Sequence, residues 1–198
     1  MSLKIQVVIG NQYEPHLNLA VENSLLVDGE ADVVTMFLWK NQHTVVYGYN
    51  QNPFTECNVE MLLNDGGHVA RRRTGGGAVF HDLGNLNFSF VADKRHYDVS
   101  RQMMVIKTAL RYFGLESEVS GRNDITYDGR KFSGNAFGIY KDRRLHHGTI
   151  MIKTDTERLM RYLKVNPAKL QKHGVKSVAS RVINLSEVAD ITSDTIIP

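Results

Sequence analysis

The sequence predicts an α+β domain whose mixed, largely antiparallel β-sheet is flanked by helices. Three observations carry that expectation. Short runs rich in β-branched and aromatic residues recur in hairpin-like order. Helical periodicity is interspersed among them instead of alternating strand by strand, which argues against a doubly wound α/β fold. No internal repeat, low-complexity tract or Pro/Ser-rich linker interrupts the 198 residues, 42% of which are hydrophobic, so residues 1–198 read as one domain with ample core material.

In chain order, residues 15–27 form the first predicted helix, with Leu17, Val21, Ser24 and Leu25 on one face. Residues 33–39 and 44–49 read as a hairpin turned by Lys40-Asn41-Gln42. Asn52-Pro53 opens a helix, because proline at the first position forfeits no helical donor; it ends near Asn64-Asp65-Gly66-Gly67. Strands follow at 68–72, 78–81 and 86–92. Residues 98–113 form an amphipathic helix with Val99, Met103, Ile106, Leu110 and Phe113 on one side, stopped by Gly114. The segment 125–132 turns at Asp128-Gly129, a dipeptide suited to left-handed hairpin turns. Residues 136–140 and 148–153 pair across the charged loop 141–144. Thr154 with Glu157 makes a capping box for a helix through Leu163, and Asn166-Pro167 opens another.

Composition narrows the function only broadly. A formal charge of +3 and a pI near 8.9, with no aromatic-interleaved basic stripe, do not point to nucleic acid; an anionic small molecule or an acidic protein partner suits equally. The single cysteine, Cys57, leaves no intrachain disulfide and no Cys-rich metal spacing. With neither a signal pattern nor a membrane-length apolar run, the expectation is a soluble cytoplasmic protein without a membrane partner.

Three clusters concentrate the chemistry. In RRRTGGGAVFHDLGN (residues 71–85) the glycine spacing matches neither a Walker A loop nor a dinucleotide fingerprint. Consecutive glycines still let backbone amides approach an anion, and the arginines supply charge and forked donors. A glycine-rich turn between strands with solvated arginines explains the same residues. In GRNDITYDGRKFSGN (121–135), Asn123-Asp124 precedes a strand and Lys131 follows a tight turn, where rigid backbone can aim it at a pocket. A surface hairpin is the plain alternative. Asp124 suits Mg²⁺ bridging phosphates, or a turn cap. In His146-His147-Gly148 the two rings point to opposite faces of a strand. One of them facing a pocket is favoured over metal ligation, for which HExxH-type context is missing. No Gly-x-Ser-x-Gly elbow is present, and Cys57 reads as a buried structural thiol.

These clusters, with NLAVE (18–22), FLW (37–39), QNP (51–53), ECN (56–58), HHGT (146–149) and SRVINLSE (180–187), run in one order over nearly the whole chain. The ordered set closely resembles the lipoate–protein ligase A family. The resemblance implies a biotin/lipoate-ligase-like fold, related to class II synthetases, and a two-step reaction. Lipoate and Mg-ATP first form lipoyl-AMP and pyrophosphate. The acyl group then passes to a lysine of a lipoyl acceptor domain, either in an E2 subunit of a 2-oxoacid dehydrogenase or in the glycine-cleavage H protein.

Carried over by motif, Lys131 is the essential catalytic lysine, placed to meet both the carboxylate and the α-phosphate. The resemblance assigns Arg72 to the nucleotide, and Gly77, Ala78, Val79 and Phe80 to the segment along the adenylate. Asn123 and Asp124 stand near the nucleotide, with Asp124 the candidate Mg²⁺ ligand. Trp39, Asn85 and His147 face the acyl-adenylate pocket, and Leu19 and Val21 line the lipoyl tail. Bacterial ligases of this kind continue past the length seen here and add a small C-terminal domain. The expectation is therefore a fragment, a truncated product or half of a two-chain ligase whose C-terminal part is a separate chain. An ATP-independent lipoyl or octanoyl transferase using a pre-activated donor, or an inactive lipoyl-binding fragment, are the alternatives.

Overall fold

A computed structural model of the chain describes residues 2–121, 123–164 and 181–197. The helix start expected at Asn166-Pro167 lies outside these residues. Two sheets organise the rest. The larger has seven strands in the order β1 (Lys4–Ile9), β2 (Val33–Trp39), β6 (Asn85–Asp93), β10 (Arg143–Met151), β9 (Arg130–Tyr140), β8 (Asp124–Tyr127) and β7 (Glu118–Ser120). The smaller is ordered β4 (His68–Arg71), β3 (Thr44–Tyr47), β5 (Val79–His81). Within the large sheet only β1 and β2 run parallel; in the small one β3 and β4 do. The architecture is thus α+β with a mixed, mostly antiparallel sheet, as expected.

Strand β6 is buried at every position, because both faces of the large sheet are covered around it. On one face Leu86, Phe88 and Phe90 pack against Met103, Ile106 and Leu110 of α4 (Val99–Arg111). Asp98 caps that helix by accepting from Arg101 N, and Gly114, at φ 73°, ends it where a side chain would be strained. Each of those helix side chains contributes about 1.5–3 kcal/mol of burial. Cutting Leu110, which is fully buried, to alanine is expected to cost about 2–5 kcal/mol.

The opposite face carries α1 (Pro15–Asp28), with Leu26 packed on Val91 and Leu145. Alternation along the strands puts Phe37 and Trp39, Asn87 and Ser89, His147 and Thr149 on this side. The short helices α2 (Pro53–Glu56) and α3 (Val59–Asn64) and the helix α5 (Thr156–Tyr162) enclose a second small core around Cys57, Leu62, Phe80 and Tyr162.

Several local expectations are corrected. Residues 33–39 and 44–49 are not a hairpin: β2 joins the large sheet and β3 the small one, the chain being redirected through His43 at φ 31°. The first helix has the expected extent, but its buried stripe is Pro15, Asn18, Glu22 and Leu26, while Leu17 is exposed. Residues 136–140 pair with 143–147, and Ile150 instead meets Leu86 of β6. The helix after Ile152 is capped by Asp155, which accepts from Arg158 N, not by Thr154. Strand β1 went unpredicted because its residues are largely exposed and lie at the sheet edge.

Candidate active site

Between the polar face of the large sheet and the small sheet lies a cleft of about 550 Å³. Trp39, Asn87, Thr149 and Gly134 line one wall, Val46, Val79 and His81 of the small sheet another, and the glycine loop 75–77 a third. Asn123, Asp124 and Lys131 stand together among its lining residues, with His147 and Leu19 elsewhere along the walls.

The glycine loop is shaped by Arg72. Its guanidinium is buried and donates to Val46 O, to Thr74 Oγ1, and to the carbonyls of Gly75 and Gly77. Burial pushes its pKa down to about 10, with Glu22 and Glu56 opposing, so it stays charged at neutral pH. Drawing the loop carbonyls onto a cation leaves the triplet amides without a partner among the described residues. That is the preparation an anion-binding loop needs. Two positions require glycine: Gly76 has φ 99°, and a Cβ on Gly48 would lie 2.0 Å from Gly76 O. The flanking arginines diverge. Arg71 lies over the Tyr47 ring and Arg73 over the Tyr140 ring, each 4.8 Å from the centroid.

Lys131 owes its position to the turn before it and to a remote segment. Asp128 (φ 50°) and Gly129 (φ 71°) make the left-handed turn that starts β9. The Lys131 N–H then donates to Arg181 O and its carbonyl accepts from Ile183 N, so the backbone is clamped beside β8. Its ammonium meets Asp124 Oδ1 at 2.7 Å with both side chains partly open to solvent. It also approaches Gly134 so closely that a Cβ there would lie 3.1 Å from Nζ.

A buried polar chain runs beneath the cleft. Glu22 Oε1 accepts from Ser89 Oγ, which itself accepts from Trp39 Nε1 at 3.0 Å. His147 bonds Glu22 through Nδ1 at 2.8 Å and Thr74 through Nε2 at 2.7 Å. Burial works against a charged Glu22, but His147 beside it, with the bonds from His147 and Ser89, holds its carboxyl below the usual range. The chain ties α1, the large sheet and the glycine loop into one unit. His146, on the opposite face as expected, bonds Gln102 and Asn135 through its two ring nitrogens.

Against this geometry, the model of the lipoyl protein ligase A/B catalytic domain matches residues 14–198. The chain belongs to that family. It is 47% identical over 190 residues to a lipoate-protein ligase A of Bdellovibrio bacteriovorus, covering 94% of this chain and 56% of that protein. The chain thus spans little more than half the length of the curated relatives it matches. Among solved structures it is similar to Plasmodium falciparum LipL1 in complex with lipoate (34% identity, TM-score 0.82, covering 98% of this chain and 56% of that one). It is similar to a bipartite lipoate protein ligase of Thermoplasma acidophilum, described with its E2 lipoyl domain (27%, 0.83, 99% and 79%). A lipoate-protein ligase A bound with ATP is also similar (25%, 0.82, 99% and 81%).

Within this lipoyl-ligase fold, ten of the expected residues line the cleft: Leu19, Trp39, Arg72, Gly77, Ala78, Val79, Asn123, Asp124, Lys131 and His147. Three do not. Phe80 points to the other side of β5, into the small core against His43 and Tyr162, because neighbours on a strand alternate. Asn85 is buried and its amide donates to Asn87 Oδ1. Val21 lies beside, not on, the stripe of α1 that faces the site. Arg72 lines the cleft chiefly as the holder of its loop. Cys57 is buried, donates to Pro53 O, and burial raises its thiol pKa.

Sequence reasoning missed Glu22, Thr74, His81, Asn87 and Thr149. Glu22 was within reach, as the acid inside NLAVE one turn beyond Asn18. His81 has its pKa pushed down to about 3, by burial first and then by Arg72 and His147. Its proton can be placed from its neighbours. Asn18 Nδ2 faces the carbonyls of Gln12 and Lys40, so Asn41 must present its oxygen to Asn18 and its nitrogen to His81 Nδ1. The neutral ring therefore carries its hydrogen on Nε2. Among the described residues no cluster of His, Cys, Asp and Glu could hold a metal by itself. No helix among them is long and apolar enough to cross a membrane.

Proposed function

We propose that the chain performs lipoate–protein ligase chemistry, with Lys131 as the catalytic cation. The observation that carries this reading is the convergence, in one cleft, of Lys131 and Asp124, the Arg72-ordered glycine loop, and the apolar surfaces of Trp39, Leu19 and Val79. In the first step a lipoate carboxylate oxygen attacks the α-phosphorus of ATP; the acyl-phosphate bond forms and the bond to pyrophosphate breaks. In the second, the ε-amine of an acceptor lysine attacks the acyl carbonyl, AMP departs with the bonding electrons, and the amine loses a proton.

Lys131 stabilises the negative charge that gathers on the carboxylate, the α-phosphate and the tetrahedral intermediate. Asp124 orients the ammonium through its 2.7 Å contact. The glycine-loop amides, which have no partner among the described residues, are suited to phosphate oxygens, while Trp39 and Leu19 exclude water from the acyl tail. Among the described residues, Asp124 is the only carboxylate lining the cleft. One carboxylate fits Mg²⁺ only in company with the triphosphate, whose charge the ion neutralises when bound. Acceptors are lipoyl domains of the E2 type or H protein; for the E2 type, support comes from the similar ligase described with its E2 lipoyl domain, and for lipoate and ATP from the similar proteins described with each.

The test is to incubate the chain with an apo lipoyl domain and either lipoate plus Mg-ATP or synthetic lipoyl-AMP, reading the acceptor's intact mass. Transfer from lipoyl-AMP is the expected result. Modification from both donors means that this chain adenylates unaided. Modification from lipoyl-AMP alone means that it transfers but needs a further chain or segment to activate the acid. No modification from either contradicts the proposal.

A further inference from the structure

Resting on that ligase reading, we infer that Arg71, Arg73 and Lys141 form a docking patch for an acidic surface of the acceptor protein. A second cleft of about 570 Å³ opens beside the first. It shares Leu19 and Arg72 with it and is rimmed by Arg71, Arg73, Tyr49 and Ile139. Arg71 and Arg73 are exposed, yet neither forms an ion pair among the described residues. Each is held by an aromatic face and a neutral acceptor: Arg71 by Tyr47 and Tyr49 O, Arg73 by Tyr140 and Asn23 Oδ1. Lys141, likewise without an ion pair there, lies 5.3 Å from the Tyr140 centroid. The nearby acids are already engaged, Glu22 by His147 below and Asp142 by Lys94.

Guanidinium groups held in place with no ion pair among the described residues have little freedom left to lose, so a carboxylate surface meets them at low entropic cost. Between them Tyr49 and Ile139 are 60% and 70% exposed, which supplies an apolar centre to a charged rim. Arg71 and Arg73 line only the second cleft, whereas Lys131, Asp124 and the glycine triplet line the first. The patch is therefore assigned to the macromolecule and not to the nucleotide.

The experiment measures transfer rates from lipoyl-AMP against apo lipoyl domain concentration, for the wild type and for the Arg71→Glu/Arg73→Glu double variant. Affinity for lipoyl-AMP is measured in parallel by calorimetry. The expected result is a KM for the acceptor raised about tenfold, with kcat and lipoyl-AMP affinity unchanged, and a wild-type KM that climbs with salt more steeply than the variant's. An unchanged acceptor KM overturns the inference, as does an equal loss of lipoyl-AMP affinity, which would assign the arginines to the nucleotide. Should the double reversal fail to fold, the Arg71→Gln and Arg73→Gln single variants are read by the same criteria, at about threefold each. A wild type that transfers nothing overturns the ligase reading, and this inference with it.

Discussion

At the scale of single residues, roles in the cleft divide between touching and holding. Lys131 is partly exposed and, among the described residues, its side chain bonds only Asp124, so removing it disturbs little packing. Lys131→Ala is expected to lower transfer from lipoyl-AMP by about 10²–10³-fold while leaving the melting temperature unchanged, a pairing that kinetics and calorimetry check together. Arg72 is the contrasting case. Its guanidinium is buried under bonds to three backbone carbonyls and Thr74. Arg72→Ala is expected to cost about 2–4 kcal/mol in denaturant unfolding and to weaken adenylate binding as the loop loses its anchor. Unchanged stability with weakened binding would instead make Arg72 a direct ligand contact.

At the scale of elements, the glycine loop offers a sharp comparison. At Gly75 a Cβ meets nothing within 4 Å, whereas Gly76 has φ 99° and Gly48 abuts Gly76 O. Gly75→Ala is expected to melt within a degree or two of the wild type, and Gly76→Ala and Gly48→Ala several degrees lower, at about 1–3 kcal/mol each. Equal melting temperatures would mean that the loop is not held as described. The same scale explains what sequence reading could and could not see. Most strands and both long helices were legible from period and turn residues, and the turn at Asp128-Gly129 took its expected form. The face of α1 was misread because its buried stripe includes Asn18 and Glu22, polar residues that a hydropathy pattern discards; inside, Asn18 meets the carbonyls of Gln12 and Lys40, and Glu22 meets Ser89 and His147. Strands β2 and β3 were misjoined because nothing in Lys40-Asn41-Gln42 announces that His43 sends the chain into another sheet. Lys131 could be singled out from its motif, but not the clamp of residues 181–183 that holds it, since pairing over some fifty residues leaves no local trace.

At the scale of the molecule, the buried polar layer links stability to pH. His81 and His146 have their pKa values pushed down to about 3, by burial in both cases before any neighbour, from ordinary values near 6.5. Folded, they bind fewer protons than the unfolded chain between those limits. Their contribution is complete above about pH 6.5 and is lost as pH falls toward 3. Each adds a slope of up to about 1.4 kcal/mol per pH unit in that window. Glu22, lowered, adds a loss below its ordinary carboxylate range. Urea unfolding at pH 7, 6 and 5 should show the decline, and His146→Gln should reduce its slope; a flat profile would refute the buried neutral assignment. On the cleft side of the large sheet, Glu22, Ser89, His147 and Thr74 join α1, that sheet and the glycine loop into the walls of one cleft. The most direct test of the ligase reading is calorimetric titration of the wild type and Lys131→Ala with a non-hydrolysable lipoyl-adenylate analogue. One site per chain is expected in the wild type, with at least tenfold weaker binding in the variant. Absence of binding, or equal affinity in the two proteins, would contradict that reading.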